Sequence, residues 1–329
     1  MNRRSAITTI GIALLSPLRL RAQESGRRRV GVLLPFHESD PEVATELKAF
    51  RERLQALGWT EATNLQVDLR WAPGDITQLR QMAKELVARG PDVILTRSTP
   101  ATAALLAQTR RVPIVFAPVS DPVGDGFVKS LARPGGNATG FTNVEGSLGG
   151  KWLELLKEGA PGLRRAGALF NPRTAPGSGS FYLRSVEAAA KSLGVKILAF
   201  PVRDAAEIRD AIGRLAAQPN SGLIVLADVT NIRNRGVVLE TVAAHRLPAI
   251  YPIGVFSRDG GMMSYGVDVV DLYRRAASYI DRILRGADPA DMPVQGPIKF
   301  ELILNVKAAS RLGIALPQSL VLRADHVIQ

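Results

Sequence analysis

Polar side chains that could hold a small organic molecule follow the apolar runs of this sequence. Hydroxyl groups suit a carboxylate, a carboxylate suits an amine, and an aromatic ring offers an apolar wall. In an α/β sheet, ligands bind outside the carboxyl ends of the strands. The candidate ligand-binding residues in such positions are Phe36, His37, Ser98, Thr99, Ser120, Asp121, Asn143, Asn171, Asp228 and Tyr251.

Four aspartates lie at or near predicted strand ends, and the residues around each one predict different roles for them. Asp121 and Asp228 directly follow buried apolar runs, one in each half of the chain, so we expect them to contact a ligand. Asp125 and Asp259 lie beside glycine, which is typical of turns. Two of these carboxylates could instead act as general acid and base, and the spacing does not show which would face each other. His37, a lone loop histidine, is the weakest candidate.

Composition excludes several kinds of catalytic and metal site. The 329 residues include no cysteine, which excludes disulfides, thiolate metal sites and cysteine nucleophiles. The three histidines are far apart in sequence, and no dinucleotide-binding, P-loop, zinc-protease or nucleophile-elbow motif occurs. We therefore expect no cofactor, no metal and no enzymatic activity. A periplasmic hydrolase or isomerase that uses Asp121 and Asp228 is the enzymatic alternative.

Residues 1–22 have the pattern of a signal peptide. Arg3 and Arg4 form a basic start, residues 6–15 are apolar, and cleavage is expected near Ala22. The apolar run is shorter than a membrane-spanning helix requires. An uncleaved anchor and an amphipathic helix are the alternatives, and Sec and twin-arginine export both stay open. The prediction is a soluble protein in the periplasm.

The formal net charge of +12 falls to +8 once the four leader arginines are removed, because the leader holds no acidic residue (12 − 4). The remaining basic residues are interleaved with acidic ones, as in residues 48–53 (KAFRER). Aromatic residues do not alternate with them in the way that stacks bases. We therefore expect a solvated surface and no nucleic-acid partner.

Apolar strands alternate with amphipathic helices in two blocks, 28–140 and 143–265. This alternation predicts an α/β protein with doubly wound parallel sheets in two lobes. The predicted N-terminal lobe is 27–140 plus 266–291, and the predicted C-terminal lobe is 143–264 plus 296–329. The chain would cross between the lobes three times, which restricts them to bending about a hinge. The stretch 112–143 is expected to form half of the ligand cleft and the first hinge strand.

Five segments in order carry a resemblance that covers essentially everything after the leader. They are 113–116 (PIVF), 121–124 (DPVG), 134–140 (PGGNATG), 260–266 (GGMMSYG) and 301–305 (ELILN). The chain resembles the ABC-transporter substrate-binding family related to tryptophan- and phenylalanine-binding proteins. The resemblance implies a type I periplasmic binding fold, with two Rossmann-like lobes, a three-strand hinge and a ligand clamped between the lobes.

The resemblance also implies a function without catalysis. We expect a monomer that binds a small polar molecule, such as an amino acid or related carboxylate, and delivers it to an inner-membrane ABC permease with its ATPase. Ser98, Thr99 and Ser120 would hold a carboxylate, Asp228 an amine, and Phe36 and Tyr251 would be apolar walls. Arg97 departs from the small polar residues common in its loop, and it either points away or indicates a more acidic ligand. A sensor for a membrane receptor is the alternative function.

Overall fold

A computed structural model describes residues 26–61, 63–73, 76–143 and 147–329. The predicted signal peptide lies outside these residues. Both predicted sheets are present, each with helices on its faces, and this confirms the predicted α/β fold class. Within the described ranges, no helix is both long and apolar enough to cross a membrane.

The first lobe is built on a five-stranded, fully parallel sheet with the order β2-β1-β3-β4-β5. Its strands are β1 (Arg28–Leu34), β2 (Leu65–Trp71), β3 (Val93–Thr96), β4 (Ile114–Val119) and β5 (Ala138–Thr142). Its helices are α1 (Pro41–Ala56), α2 (Ile76–Ala88) and α3 (Thr99–Leu106). The central strands β3 and β4 are buried along their whole length, as expected for strands covered by helices on both faces.

Helix α1 shows how the local sequence sets an element. The Asp40 side chain accepts a hydrogen bond from the Glu42 backbone N–H, and Pro41 occupies the first turn, so the start of the helix is defined. Val43, Leu47 and other apolar residues at helical spacing form its buried face.

The second lobe has a seven-stranded sheet with the order β12-β11-β10-β9-β8-β6-β7. Its strands are β6 (Arg165–Phe170), β7 (Lys196–Pro201), β8 (Ser221–Val225), β9 (Ala249–Tyr251), β10 (Met263–Val267), β11 (Phe300–Asn305) and β12 (His326–Ile328). Its helices are α4 (Leu148–Gly159), α5 (Ser180–Leu193), α6 (Ala205–Ala216), α7 (Val229–Arg233), α8 (Arg235–Ala244), α9 (Gly254–Arg258), α11 (Val306–Arg311) and α12 (Gln318–Leu322).

Two details of this sheet differ from the expectation. The pair β10–β11 is antiparallel, because the chain enters β11 on its way back from the first lobe. The C-terminal tail, which lies outside the two predicted blocks of alternating strands and helices, forms α12 and then β12, which pairs in parallel with β11.

Three segments connect the lobes. The chain leaves the first lobe after β5, returns to it after β10 as helix α10 (Val269–Leu284), and re-enters the second lobe at β11. Helix α10 packs against α1 and β4 of the first lobe. After α10, Gln295 lies beside β5, since its N–H donates to the Gly140 carbonyl at 3.0 Å and its carbonyl accepts from the Thr142 N–H at 2.9 Å. The crossings lie side by side, which suits a hinge.

Candidate functional site

A narrow cleft lies where the two sheets face each other. The first lobe lines it with Phe36, Arg97, Ser98, Thr99, Pro118 and Ser120. The second lobe adds Thr174, Pro176, Ala227, Asp228, Val229, Ile232 and Ile253, and the crossing segments add Asn143, Val267 and Val269. Polar groups are few and the remaining wall is apolar, as in most ligand pockets.

The first lobe presents neutral hydrogen-bonding groups at the start of helix α3. Ser98 is the N-cap, has a left-handed backbone (φ 81°) and accepts from the Ala101 N–H at 3.5 Å through its hydroxyl. The Thr99 hydroxyl donates to Asp125 at 3.3 Å. Burial, and then the nearby Asp121, raise the pKa of Asp125 to about 6. The positive end of the helix dipole favours an anionic group at this edge of the cleft.

The second lobe presents the carboxylate of Asp228. Its Oδ1 accepts from the Asn231 N–H at 2.9 Å and from the Thr174 hydroxyl at 3.3 Å, and its Oδ2 accepts from the Asn171 N–H at 3.0 Å. These bonds make it the N-cap of α7 and orient it rigidly. Burial raises the pKa of Asp228 to about 6, while the hydrogen bonds oppose the rise.

A buried ion pair lies in the first-lobe wall. Arg97, 4% exposed, donates through Nη1 to both carboxylate oxygens of the fully buried Glu46, and its Cζ lies 4.7 Å from the centroid of the Phe36 ring. Burial raises the pKa of Glu46 to about 7, and the charge of Arg97 opposes the rise. Burial lowers the pKa of Arg97, but Glu46 and the other nearby groups together outweigh that effect, so the pKa is raised and the guanidinium stays charged. Tyr273 of α10 lies beside the pair, and burial raises its pKa.

A polar contact joins the lobes at the back of the cleft. The hydroxyls of Ser120 and Tyr182 share a hydrogen bond of 2.9 Å, and Asn143 also bonds the Tyr182 hydroxyl. Burial raises the pKa of Tyr182 well above its ordinary value, and its ring packs on Trp152 at 5.1 Å between centroids. Among the described residues, the buried Oδ1 of Asn143 has no hydrogen-bond partner.

Ion pairs also join the lobes at the rim, outside the cleft. The Arg235 guanidinium donates to both carboxylate oxygens of Asp40, at 2.8 and 3.1 Å, and to Asp259 of its own lobe at 2.9 Å. Arg258 donates to Glu42 at 2.8 Å. Asp40 and Glu42 belong to the start of α1, so both cross-lobe pairs reach the same helix end.

Six of the ten candidate residues line this cleft, namely Phe36, Ser98, Thr99, Ser120, Asn143 and Asp228. The structure does not bring the other four into it. His37 is exposed. Asp121 accepts from the Gly124 N–H at 2.8 Å and closes a turn of its own loop. Asn171 bonds Thr230 and Arg173 and borders a neighbouring groove. Tyr251 is 1% exposed and stacks on Phe256, so it belongs to the core.

Glu46 and Tyr182 were missed in the sequence analysis. A signal for Glu46 was present, because it lies three residues after Val43 and four before Phe50, on the buried face of α1. A carboxylate on such a face requires a buried partner. Tyr182 carried no comparable signal, because an aromatic residue on an amphipathic helix is ordinary core. The sequence leaves two possibilities for Arg97, and the structure shows a third, in which Arg97 borders the cleft and its charge is paired with Glu46.

Comparisons with known proteins agree on a family. Residues 30–328 match the family model described as ABC transporter substrate binding protein. A tyrosine-binding protein of Clostridioides difficile is 26% identical over 268 residues, which are 80% of this chain and 75% of that protein.

Two solved structures are similar over 92% of this chain and the whole of theirs, each at 27% identity. One is an ABC domain in complex with L-Trp from Streptococcus pneumonia, with a TM-score of 0.84. The other is a conserved domain protein from Vibrio cholerae, with a TM-score of 0.85.

Proposed function

Because this chain belongs to the family of ABC transporter substrate-binding proteins, we propose that it binds an aromatic amino acid between its lobes without changing it chemically. In this proposal the protein is exported, its leader is removed, and it delivers the amino acid to an inner-membrane permease driven by an ATPase. The relatives that bind tyrosine and L-Trp support an aromatic ligand.

The observation that carries the proposal is the polarity of the cleft. Neutral hydroxyl donors at the start of α3 face it from one lobe, and the carboxylate of Asp228 faces it from the other. An α-amino acid zwitterion has the complementary groups, since its carboxylate fits Ser98 and Ser120 and its ammonium fits Asp228. The orphaned Oδ1 of Asn143 is a further acceptor for an ammonium proton.

The apolar part of the cleft suits a flat side chain. Phe36, Ile232, Ile253 and Val269 line it together with the prolines, and they offer an aromatic ring an environment without charge. Burial of such a ring removes a large apolar area from water.

Hinge closure follows from the same arrangement. A ligand that contacts Ser98 in one lobe and Asp228 in the other makes its full set of contacts only when the lobes are together. Its differential affinity therefore shifts the population toward the closed form. The cross-lobe contacts of Ser120 and Arg235 are made in that form and add to its stability. The permease would then respond to the closed shape.

The test is a binding screen on the mature chain. Isothermal titration calorimetry with L-tyrosine, L-tryptophan and L-phenylalanine should give tight binding for at least one, with a matching rise in Tm. Asp228→Asn should weaken it about 10- to 100-fold, since a hydrogen bond to a charged group contributes about 1.5–3 kcal/mol.

Asp204→Asn is the matched control, because Asp204 is also an N-cap aspartate but does not line the cleft. Asparagine caps helices as well as aspartate does, so both variants keep their helix starts. If all three aromatic amino acids failed to bind, or if the two variants weakened binding equally, the proposed site would be wrong.

A further inference from the structure

Arg97 is an unusual residue to find in the wall of a cleft for an aromatic amino acid. Among the described residues, two charged residues line the cleft, namely Arg97 and Asp228. An arginine there would ordinarily attract an anionic ligand, since its planar fork matches a carboxylate. The contacts of its guanidinium indicate a different role.

The guanidinium is occupied on two sides. Glu46, on the inward face of α1, accepts from Nη1 with both carboxylate oxygens, and the Phe36 ring covers the guanidinium at 4.7 Å. Both charged side chains are almost fully buried, at 4% and 0% exposure. The ion pair therefore presents no net charge to the cleft. Within the described part of the lining, the carboxylate of Asp228 is then the one uncompensated charge that a ligand contacts.

We propose that Glu46 determines the charge class of the ligand by neutralising Arg97, so that the cleft accepts amino acids with an uncharged side chain and rejects those with an anionic one. The proposal rests on the proposed function, since it concerns the same cleft. Glu46 does not line the cleft and acts through Arg97. Arg97 keeps the Phe36 ring in place as an apolar surface.

The physical reason is the strength of charge interactions in a partly dry site. At an effective dielectric constant of about 20, a unit charge a few ångströms from a ligand carboxylate changes its affinity by about tenfold or more. Arg97 without Glu46 would supply that attraction. Arg97 with Glu46 supplies almost none, and Asp228 then repels a second carboxylate. Selectivity against a ligand of the wrong charge commonly uses such repulsion.

The test compares two ligands of nearly the same shape, one with a neutral side chain and one with an anionic side chain. L-glutamine and L-glutamate are titrated in competition with L-tyrosine at pH 8.0, above the raised pKa of Glu46. The wild type should bind glutamine more tightly than glutamate. In Glu46→Gln, the ratio of the two affinities should shift toward glutamate by about tenfold or more. Glu52→Gln, which changes an exposed carboxylate of the same helix, should leave the ratio unchanged.

A neutral double variant covers the case in which Glu46→Gln does not fold because Arg97 is left unpaired. The double variant Glu46→Gln with Arg97→Gln removes both charges. Because the ion pair contributes no net charge, the ratio of glutamine to glutamate affinity in this variant should stay within about threefold of the wild-type ratio. If Glu46 had a purely structural role, Glu46→Gln would lower the affinities for glutamine and glutamate together and leave their ratio unchanged.

Three outcomes would overturn the inference. They are a wild type that prefers glutamate, a folded Glu46→Gln with an unchanged ratio, and a double variant whose relative affinity for glutamate falls tenfold. Failure of the proposed function is a separate result, namely the absence of binding of L-tyrosine, L-tryptophan and L-phenylalanine to the wild type. In that case the variants are titrated directly with glutamate, and the Glu46→Gln variant should still gain affinity for it.

Discussion

The ion pair between Arg235 and Asp40 offers a way to weaken ligand binding without touching the ligand. Neither residue lines the cleft, yet the pair joins the second lobe to the start of α1 in the first. If the lobes separate when the ligand leaves, both groups return to water. Arg235→Gln should therefore destabilise the closed form selectively and raise the Kd.

The expected size follows from the burial of the pair. The two side chains are 16% and 11% exposed, and the contact is bidentate. Exposed pairs contribute about 0.2–1 kcal/mol, whereas breaking a buried pair costs about 3–5 kcal/mol. A value of about 1–2 kcal/mol is expected here, because the pair is partly buried and the open state solvates both groups. That corresponds to a Kd weakened about 5- to 30-fold.

The assay is calorimetric titration at low and high salt with the amino acid that binds the wild type, together with stopped-flow measurement of the dissociation rate. The loss should appear mainly as faster dissociation, and the wild-type affinity should fall with salt more than that of the variant. Arg214→Gln is the control, because Arg214 pairs with Asp210 within α6 and both side chains are about two-thirds exposed. A Kd for Arg235→Gln within twofold of the Arg214→Gln value would refute the idea that this pair stabilises closure.

Three further outcomes are expected. Ser120→Ala and Tyr182→Phe should each weaken ligand binding about 2- to 10-fold. The double variant should lose less binding free energy than the sum of the single losses, because both changes remove the same 2.9 Å cross-lobe hydrogen bond, and fully additive losses measured by calorimetry would contradict this. The affinity for the ligand should fall as the pH drops from 7.5 to 5. The pKa of Asp228 is about 6 before ligand binds, so over this range Asp228 becomes neutral and no longer attracts an ammonium group. The affinity of the Asp228→Asn variant should depend less on pH. The stability of the unliganded protein should change in the opposite direction. The pKa of Asp228 rises from 3.8 unfolded to about 6 folded, so its contribution is fully present below about pH 4 and is lost as the pH rises through 6. In urea unfolding, the free energy of unfolding should fall by about 3 kcal/mol at most because of Asp228 as the pH rises. If the wild type and Asp228→Asn showed the same dependence of unfolding free energy on pH, the raised pKa assigned to Asp228 would be contradicted.

Much of the fold was predictable from the sequence because its signals are local. Continuous apolar runs indicate strands buried on both faces, and residues such as Asp40 and Asp204 mark helix starts. The antiparallel entry of β11 and the strand β12 were not predictable in this way, because they depend on the direction from which the chain returns from the other lobe.

The candidate site likewise contains residues that the sequence predicts correctly and residues whose position depends on tertiary packing. A residue that follows a buried strand lies near the carboxyl edge of the sheet, and this rule alone places Ser98, Ser120 and Asp228 near a cleft. It also selected Asp121 and Tyr251, which lie at the same edge but turn into their own loop and into the core. Sequence position determines the edge, whereas packing determines the direction of the side chain.

By itself, the sequence determined the two α/β lobes, the absence of cysteine chemistry and the edge at which polar groups gather. Only the tertiary structure decided that Arg97 is neutralised by Glu46, that Tyr182 meets Ser120 and that Arg235 reaches Asp40. The members of these pairs are 51 to 195 residues apart. Helix starts and buried strands follow from interactions between near neighbours in sequence. The charge of a cleft and the contacts that close it follow from distant segments that meet only once both lobes have folded.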